Sequence, residues 1–213
     1  MRSLTPLEAR VLAVLVEKQH TVPDTYPLSL NSLTAGCNQK TARSPVIEAT
    51  EAEVITAVDG LKGLSLVFEG SGSRVVKFEH NMPRVTGLPG ASVALLTVLM
   101  LRGPQTAAEL RLNCERLHRF ADISSVEGFL EELATKATPM VVKLARAAGS
   151  RESRWAHLLC GEVAAEATPA FSGEGGVSAG ELSALKAELT RQGADLAALR
   201  ELVERLAREL GVQ

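Results

Sequence analysis

Apolar residues at a spacing of three and four predict the first helix in "TPLEARVLAVLVEK". Thr5 is a suitable N-cap, Pro6 fits the first helical position, and Glu8 can complete a capping box. After the proline-rich connection "TVPDTYP", a second short helix is predicted in "LSLNSLTAGC", with Ser29 as its N-cap.

A third helix is predicted after Thr50, where Glu53 again stands in capping-box position. Val54, Val58 and Leu61 would form its buried stripe. The segments "LSLVFE" and "RVVKFEH", separated by "GSGS", then predict two strands joined by a tight turn. Three helices followed by a hairpin is the order of a winged helix-turn-helix domain.

The same order returns in the second half of the chain. "SVALLTVLMLRG", "PQTAAELRLNCERL" and "SSVEGFLEELATK" predict three more helices, the second capped by Thr106, and "MVVKLAR" and "SRWAHLL" predict another hairpin. The period of about eighty residues is longer than that of solenoid repeats. We therefore expect two winged-helix domains, residues 1–88 and 89–161.

The end of the chain follows a different pattern. Residues 162–178 are rich in Gly, Ala and Ser and predict a flexible linker, whereas residues 179–213 carry a heptad repeat. The seam would hold a parallel homodimer, and the alternative is a helix that folds back on the chain's own domains. The apolar residues of the predicted dimerisation seam are Leu182, Leu185, Leu189, Leu196, Leu199, Val203, Leu206 and Leu210.

The predicted fold is thus mainly α with small antiparallel β-hairpins, of the α+β class: tandem winged helix-turn-helix domains plus a C-terminal coiled-coil helix. Residues 3–161 closely resemble the YceH-like family of uncharacterised bacterial proteins. The motifs that carry the resemblance are "LTPLEARVL", "VPDTYPLSLNSL", "CNQKTARSPV", "GSGSRVVKFEH", "LMLRGPQTAAELR", "ERLHRFAD" and "RWAHLL". The resemblance implies the tandem winged-helix fold and no particular biochemical activity.

Composition limits the classes of partner. With a net charge of −2 over 213 residues, the chain lacks the positive field of a non-specific nucleic-acid or membrane-surface binder, so any nucleic-acid contact must be local. Its three cysteines form no C-x-x-C pair, which favours a reducing, cytoplasmic setting. The longest largely apolar run, Val93 to Leu101, is too short to span a bilayer.

Motifs for catalysis are absent from the sequence. There is no G-x-S-x-G elbow, P-loop or H-E-x-x-H, and "GSGSR" lacks the Lys-Ser/Thr of a phosphate cradle. Cys114 and His118 could share a helix face, but two ligands do not make a metal site. We therefore expect a protein that is not an enzyme and that needs no metal or cofactor.

The predicted third helix is a poor candidate for reading DNA, because its outward face carries no cation: Ala52, Glu53, Thr56, Asp59, Gly60 and Gly63. The third helix of the second half likewise shows Glu127 and Glu131. Groups suited to nucleic acid are concentrated in the preceding loop, "NQKTAR", and in the first hairpin. The predicted DNA-binding residues are Asn38, Gln39, Lys40, Thr41, Arg43, Arg74 and Lys77.

In this hypothesis Lys40, Arg43, Arg74 and Lys77 hold phosphates, and Asn38 and Gln39 contact base edges. The alternative is that Asn38 and Thr41 only satisfy the end of the second helix, with Lys40 and Arg43 solvated. A second basic cluster comprises Arg111, Arg116, His118 and Arg119, followed by Arg146, Arg151 and Arg154 in the second hairpin.

Three functions fit these features. The first is a regulator that binds double-stranded DNA, as a homodimer joined by its C-terminal helix. The second is a protein-protein interaction scaffold whose acidic third helices dock a basic protein partner. The third is a regulator with a small effector between its domains, for which the sequence supplies no specific ligand residues.

Overall fold

A computed structural model describes residues 2–70, 75–146 and 152–163, which all belong to one compact unit, Met1–Ala164. The predicted linker and coiled-coil helix fall outside these residues, except for residues 162 and 163, and so do Arg74 and Arg151. The described part is mixed, with α-helices and small antiparallel sheets. The division into domains, and the coiled coil with its dimer, stay predictions.

The helices are α1 (Pro6–Thr21), α2 (Leu30–Cys37), α3 (Glu51–Gly63), α4 (Met82–Thr86), α5 (Gly90–Arg102), α6 (Ala107–Asn113) and α7 (Ile123–Thr135), with a short 3₁₀ turn at Pro23–Thr25. The strands are β1 (Leu28–Ser29), β2 (Val67–Gly70), β3 (Lys77–His80), β4 (Val141–Lys143) and β5 (Trp155–His157). None of the helices that the structure describes is long and apolar enough to cross a membrane.

The predicted helix starts are confirmed. The Thr5 hydroxyl accepts a hydrogen bond from the Glu8 amide, and the Glu8 carboxylate accepts one from the Thr5 amide. Thr50 begins α3 with a capping box of the same kind, Thr106 does so for α6, and Ser29 caps α2. Each cap contributes about 1 kcal/mol, so local sequence alone determines where these helices begin.

Each half also contains a third extended segment that the sequence did not predict. In the first half, β1 pairs antiparallel with β3, and the sheet order is β1-β3-β2. In the second half, Gln105 forms an isolated bridge with Trp155 of β5, which pairs with β4. β1 ends at Ser29, the N-cap of α2, and Gln105 directly precedes Thr106, the N-cap of α6, so the two halves share this arrangement.

The centre of the core lies where α1 packs against α5. Residues 11–16 of α1 and 91–101 of α5 are buried without interruption, so neither helix has a solvated face along these stretches. Residues of both halves belong to one hydrophobic cluster. The two halves are therefore packed together, which places the loop after α2 beside α5.

Candidate nucleic-acid interface

The loop between α2 and α3, residues 38–50, is anchored at both ends by Asn38. Its side-chain amide donates to the Ala49 carbonyl oxygen at 2.8 Å, and its side-chain oxygen accepts from the Ala49 amide at 2.8 Å. Both polar ends of the side chain are therefore occupied. Asn38 closes the loop, and contacting a base edge would require breaking this pair of bonds.

Arg43 is buried, with 6% of its surface exposed. Its Nη2 and Nη1 donate to the two carboxylate oxygens of Glu17 at 2.6 and 3.1 Å, and its Nε donates to the Gly36 carbonyl at 3.2 Å. This two-pronged contact uses the guanidinium inside the protein. The interpretation in which Arg43 is solvated is wrong, and a phosphate contact has no free face of the guanidinium to use.

The remaining residues of the predicted loop site, Gln39, Lys40 and Thr41, differ in how exposed they are and in how many hydrogen bonds they make within the chain. Gln39 accepts from Lys18 Nζ at 3.2 Å and donates to the carbonyl and hydroxyl oxygens of Thr41 at 3.1 and 3.2 Å. Lys40 and Thr41 are exposed, and Lys40 has no ion-pair partner among the residues that the structure describes. Lys40 is thus the cation that this loop presents to solvent.

Lys77 lies on β3, where it pairs with Ser29 on one side and Gly70 on the other. It is half-buried, and the register places it on the same face of the sheet as Phe68, whose side chain is 43% exposed. Lys77 and Phe68 share this outward face with Glu79, which pairs directly with Phe68. Arg74 lies outside the described residues.

The outward surface of α3 has the negative character that its sequence indicated. Glu51, Glu53 and Asp59 are exposed, while Lys62 binds Glu69 at 2.6 Å. Hydrogen bonds from Thr50 hold the pKa of the Glu53 carboxyl below its usual value, so it stays ionised. The surface of α3 is therefore unfavourable for phosphates.

Part of that predicted face is covered by the chain's own N-terminal segment. Arg2 binds the Glu8 carboxylate with both terminal nitrogens, and this pair lies against Gly60, where a Cβ would collide with Glu8. The absence of a side chain at Gly60 allows the close approach. Gly60 therefore serves packing rather than an open binding face.

The second half presents exposed cations in the corresponding loop, between α6 and α7. Arg116, His118 and Arg119 are exposed, and the Arg119 side chain is 84% exposed, 3.7 Å from Glu115. Arg111 donates to the Ala121 carbonyl at 3.1 Å. These residues lie outside the predicted DNA-binding set, and the repeat is the sequence signal that points to them.

The cations of the second hairpin are less available. Arg154 is bound to the Pro104 carbonyl at 2.8 Å and to Glu109 at 3.1 Å, and Lys143 lies over the ring of Trp155, 5.3 Å from its centroid. Arg146 is exposed. Among the described residues, the loop before α7 therefore has two exposed arginines, Arg116 and Arg119, and the second hairpin has one exposed cation without such a contact, Arg146.

Residues 4–150 match the family described as "Protein of unknown function, DUF480". The chain belongs to this family, and the resemblance to YceH-like proteins agrees with that membership.

The chain is 68% identical to a UPF0502 protein of Burkholderia pseudomallei (strain 668) over 213 residues, which cover 100% of this chain and 91% of that protein. A UPF0502 protein of Burkholderia thailandensis is 67% identical and one of Burkholderia multivorans 65%, with the same coverage.

Proposed function

We propose that this protein is a non-enzymatic, cytoplasmic regulator that binds double-stranded DNA with two winged-helix domains. Each half has three helices followed by a hairpin, with an extended segment before the second helix that pairs with the last strand. This arrangement favours the winged helix-turn-helix fold over other small α+β folds. The fold by itself does not imply DNA binding, so the proposal depends on the surface.

The supporting observation is that exposed cations occupy the same loop in both halves. Lys40 lies between α2 and α3, and Arg116 and Arg119 lie between α6 and α7. Phosphates are held by such cations through counterion release, which does not need a positive protein overall. In this proposal Lys77 adds a contact from the first hairpin.

The structure changes the roles within the first loop. Lys40 and Thr41 face solvent and would contact the DNA backbone, whereas Asn38 and Arg43 fix the loop's conformation from inside. Gln39 lies between these groups and could donate to a base only by leaving Thr41. We therefore assign Asn38 and Arg43 as positioning residues.

A charge-removal variant tests this interface. Lys40, Lys77, Arg116 and Arg119 are changed together to Ala in the full chain, and binding to random duplex DNA is followed by fluorescence anisotropy over a salt series. If all four hold phosphates, the slope of log affinity against log salt falls by about 3 to 4.

The matched control is Lys136→Ala, which removes a partly exposed cation whose one ion pair among the described residues is with Glu132, at 3.8 Å. It should leave the salt slope unchanged. An unchanged slope in the fourfold variant would refute the interface, and absence of duplex binding by the unmodified chain at low salt would refute the function.

The second candidate is a scaffold that docks a basic protein. It is favoured by the carboxylates that both third helices expose: Glu51 and Asp59 on α3, of which Asp59 lies 3.7 Å from Lys62, and Glu127 and Glu131 on α7. A lysine-rich peptide should then bind the chain, and changing the two α7 carboxylates to Gln should weaken it. Binding of the peptide without binding of DNA would favour this candidate over the first.

A further inference from the structure

A groove of about 500 Å³ lies between the two halves. Its walls come from the start of α1, the loop before α3 with the first turn of α3, the end of α5, and the end of β5 with the segment that follows. The residues that line it include Leu7, Arg10, Ile47, Ala49, Met100 and His157. This volume is in the range of small-molecule sites, and most of the lining is apolar.

Arg10 gives this groove its electrostatic character. The residue is 4% exposed; its Nη1 donates to the Cys37 carbonyl at 3.0 Å and its Nη2 to the Pro45 carbonyl at 2.6 Å. Its Nε has no hydrogen-bond partner, and no carboxylate of the described residues forms an ion pair with it. A buried cation held only by carbonyl oxygens is incompletely compensated and favours an anion beside it.

His157 supplies a second free group in the same lining. Its Nδ1 is buried without a hydrogen-bond partner. Burial lowers the pKa of His157 to about 4, so the imidazole is neutral near pH 7 and can place its proton on Nδ1 as a donor. Arg10 and His157, each with one buried nitrogen that lacks an acceptor, are therefore lining residues of the same groove.

We propose that this groove binds a small organic carboxylate, whose oxygens accept from Arg10 and His157 and whose hydrocarbon body packs against Leu7, Ile47 and Met100. Neither nitrogen is exposed to bulk water, so seating the carboxylate requires a small rotation of both side chains. Of the acidic residues in the lining, Glu53 is bonded to Thr50, and Glu48 is exposed to solvent. Neither carboxylate forms an ion pair with Arg10.

Three probes with the same hydrocarbon chain test the charge preference: octanoate, 1-octanol and octylammonium. Each is titrated into the full chain by calorimetry in the absence of DNA, so the result does not depend on the proposed DNA binding. Octanoate should bind at least about tenfold more tightly than 1-octanol, because charged hydrogen bonds are the stronger ones. Equal affinities for the three probes, or no binding of octanoate, would overturn the proposal.

Variants locate the site without touching Arg10, whose loss could unfold the loop. Ala49→Phe fills the groove and should abolish octanoate binding, whereas Ala145→Phe adds the same bulk at an exposed position outside the lining and should not. His157→Phe should weaken octanoate about tenfold and leave 1-octanol unchanged. If octanoate binds folded Ala49→Phe as tightly as the unmodified chain, its site lies elsewhere.

Discussion

Removing Arg43 tests whether its role is structural. In Arg43→Ala, the Glu17 carboxylate loses the guanidinium nitrogen that lies 2.6 Å away, although only 15% of the Glu17 side chain is exposed to solvent. The Gly36 carbonyl also loses its hydrogen-bond donor. Breaking a buried pair from one side costs about 3 to 5 kcal/mol. Lys18, 3.7 Å from Glu17, remains to compensate in part, so we expect a loss near the lower limit, about 3 kcal/mol.

Urea denaturation followed by circular dichroism measures this loss. The matched double variant, Glu17→Met with Arg43→Met, removes both charges and should cost less than the sum of its two single changes, with a coupling of about 1 to 3 kcal/mol. Lys40→Ala in the same loop is the control and should change stability by less than about 0.5 kcal/mol. If Arg43→Ala were as stable as the unmodified chain but bound DNA with a smaller salt slope, Arg43 would be a phosphate contact and the structural reasoning would be wrong.

Three further predictions concern single residues. Asn38→Ala should destabilise the chain by about 1 to 3 kcal/mol in urea melts, because it leaves both backbone groups of Ala49 without partners, and an effect on DNA affinity alone would contradict this. Gly60→Ala should destabilise the chain, because its Cβ would force Glu8 aside. In the control, Gly63→Ala, the Cβ would meet nothing within 4 Å, so this change should be neutral or stabilise the chain by up to about 1 kcal/mol. Equal effects of the two changes would refute this reasoning. His157 has a pKa of about 4 in the folded chain, below its value of 6.5 in the unfolded chain. Its contribution to the free energy of unfolding is therefore fully present above pH 6.5 and is lost as the pH falls toward 4. His157→Phe should flatten that decline.

The sequence predicted those parts of the fold that depend on local signals. Thr5, Thr50 and Thr106 marked helix starts, and the sequence "GSGS" marked the separation between the strands now seen as β2 and β3, because capping and turn preferences depend on a few neighbouring residues. The two-residue strand β1 and the five-residue helix α4 were missed, since elements this short carry no measurable periodicity. Their positions are determined by the partners they pack against.

The candidate site was predicted less well, for a reason that Arg43 shows. Its partner Glu17 lies 26 residues earlier in the sequence, and a 3₁₀ turn, β1 and α2 come between the two residues. No local pattern distinguishes an arginine that will pair internally from one that will face solvent. Lys40, three residues away, is exposed, so the two cations of one motif have different environments.

That difference leads to a last prediction, about how the proposed DNA contacts divide between the halves. In the first loop Arg43 is used internally, leaving Lys40, whereas the second loop exposes both Arg116 and Arg119. The 3.7 Å contact of Arg119 with Glu115 is largely solvated and competes weakly with a phosphate. The second half should therefore supply more of the salt-dependent affinity.

Two variants measured by anisotropy over a salt series test this division. Changing Arg116 and Arg119 together to Ala should lower the salt slope by about 2, and Lys40→Ala should lower it by about 1. If Lys40→Ala had the larger effect, the first loop would be the main contact and exposure of cations would not determine the interface. A slope that falls equally in Lys136→Ala would show only a dependence on net charge, because that residue lies outside both loops.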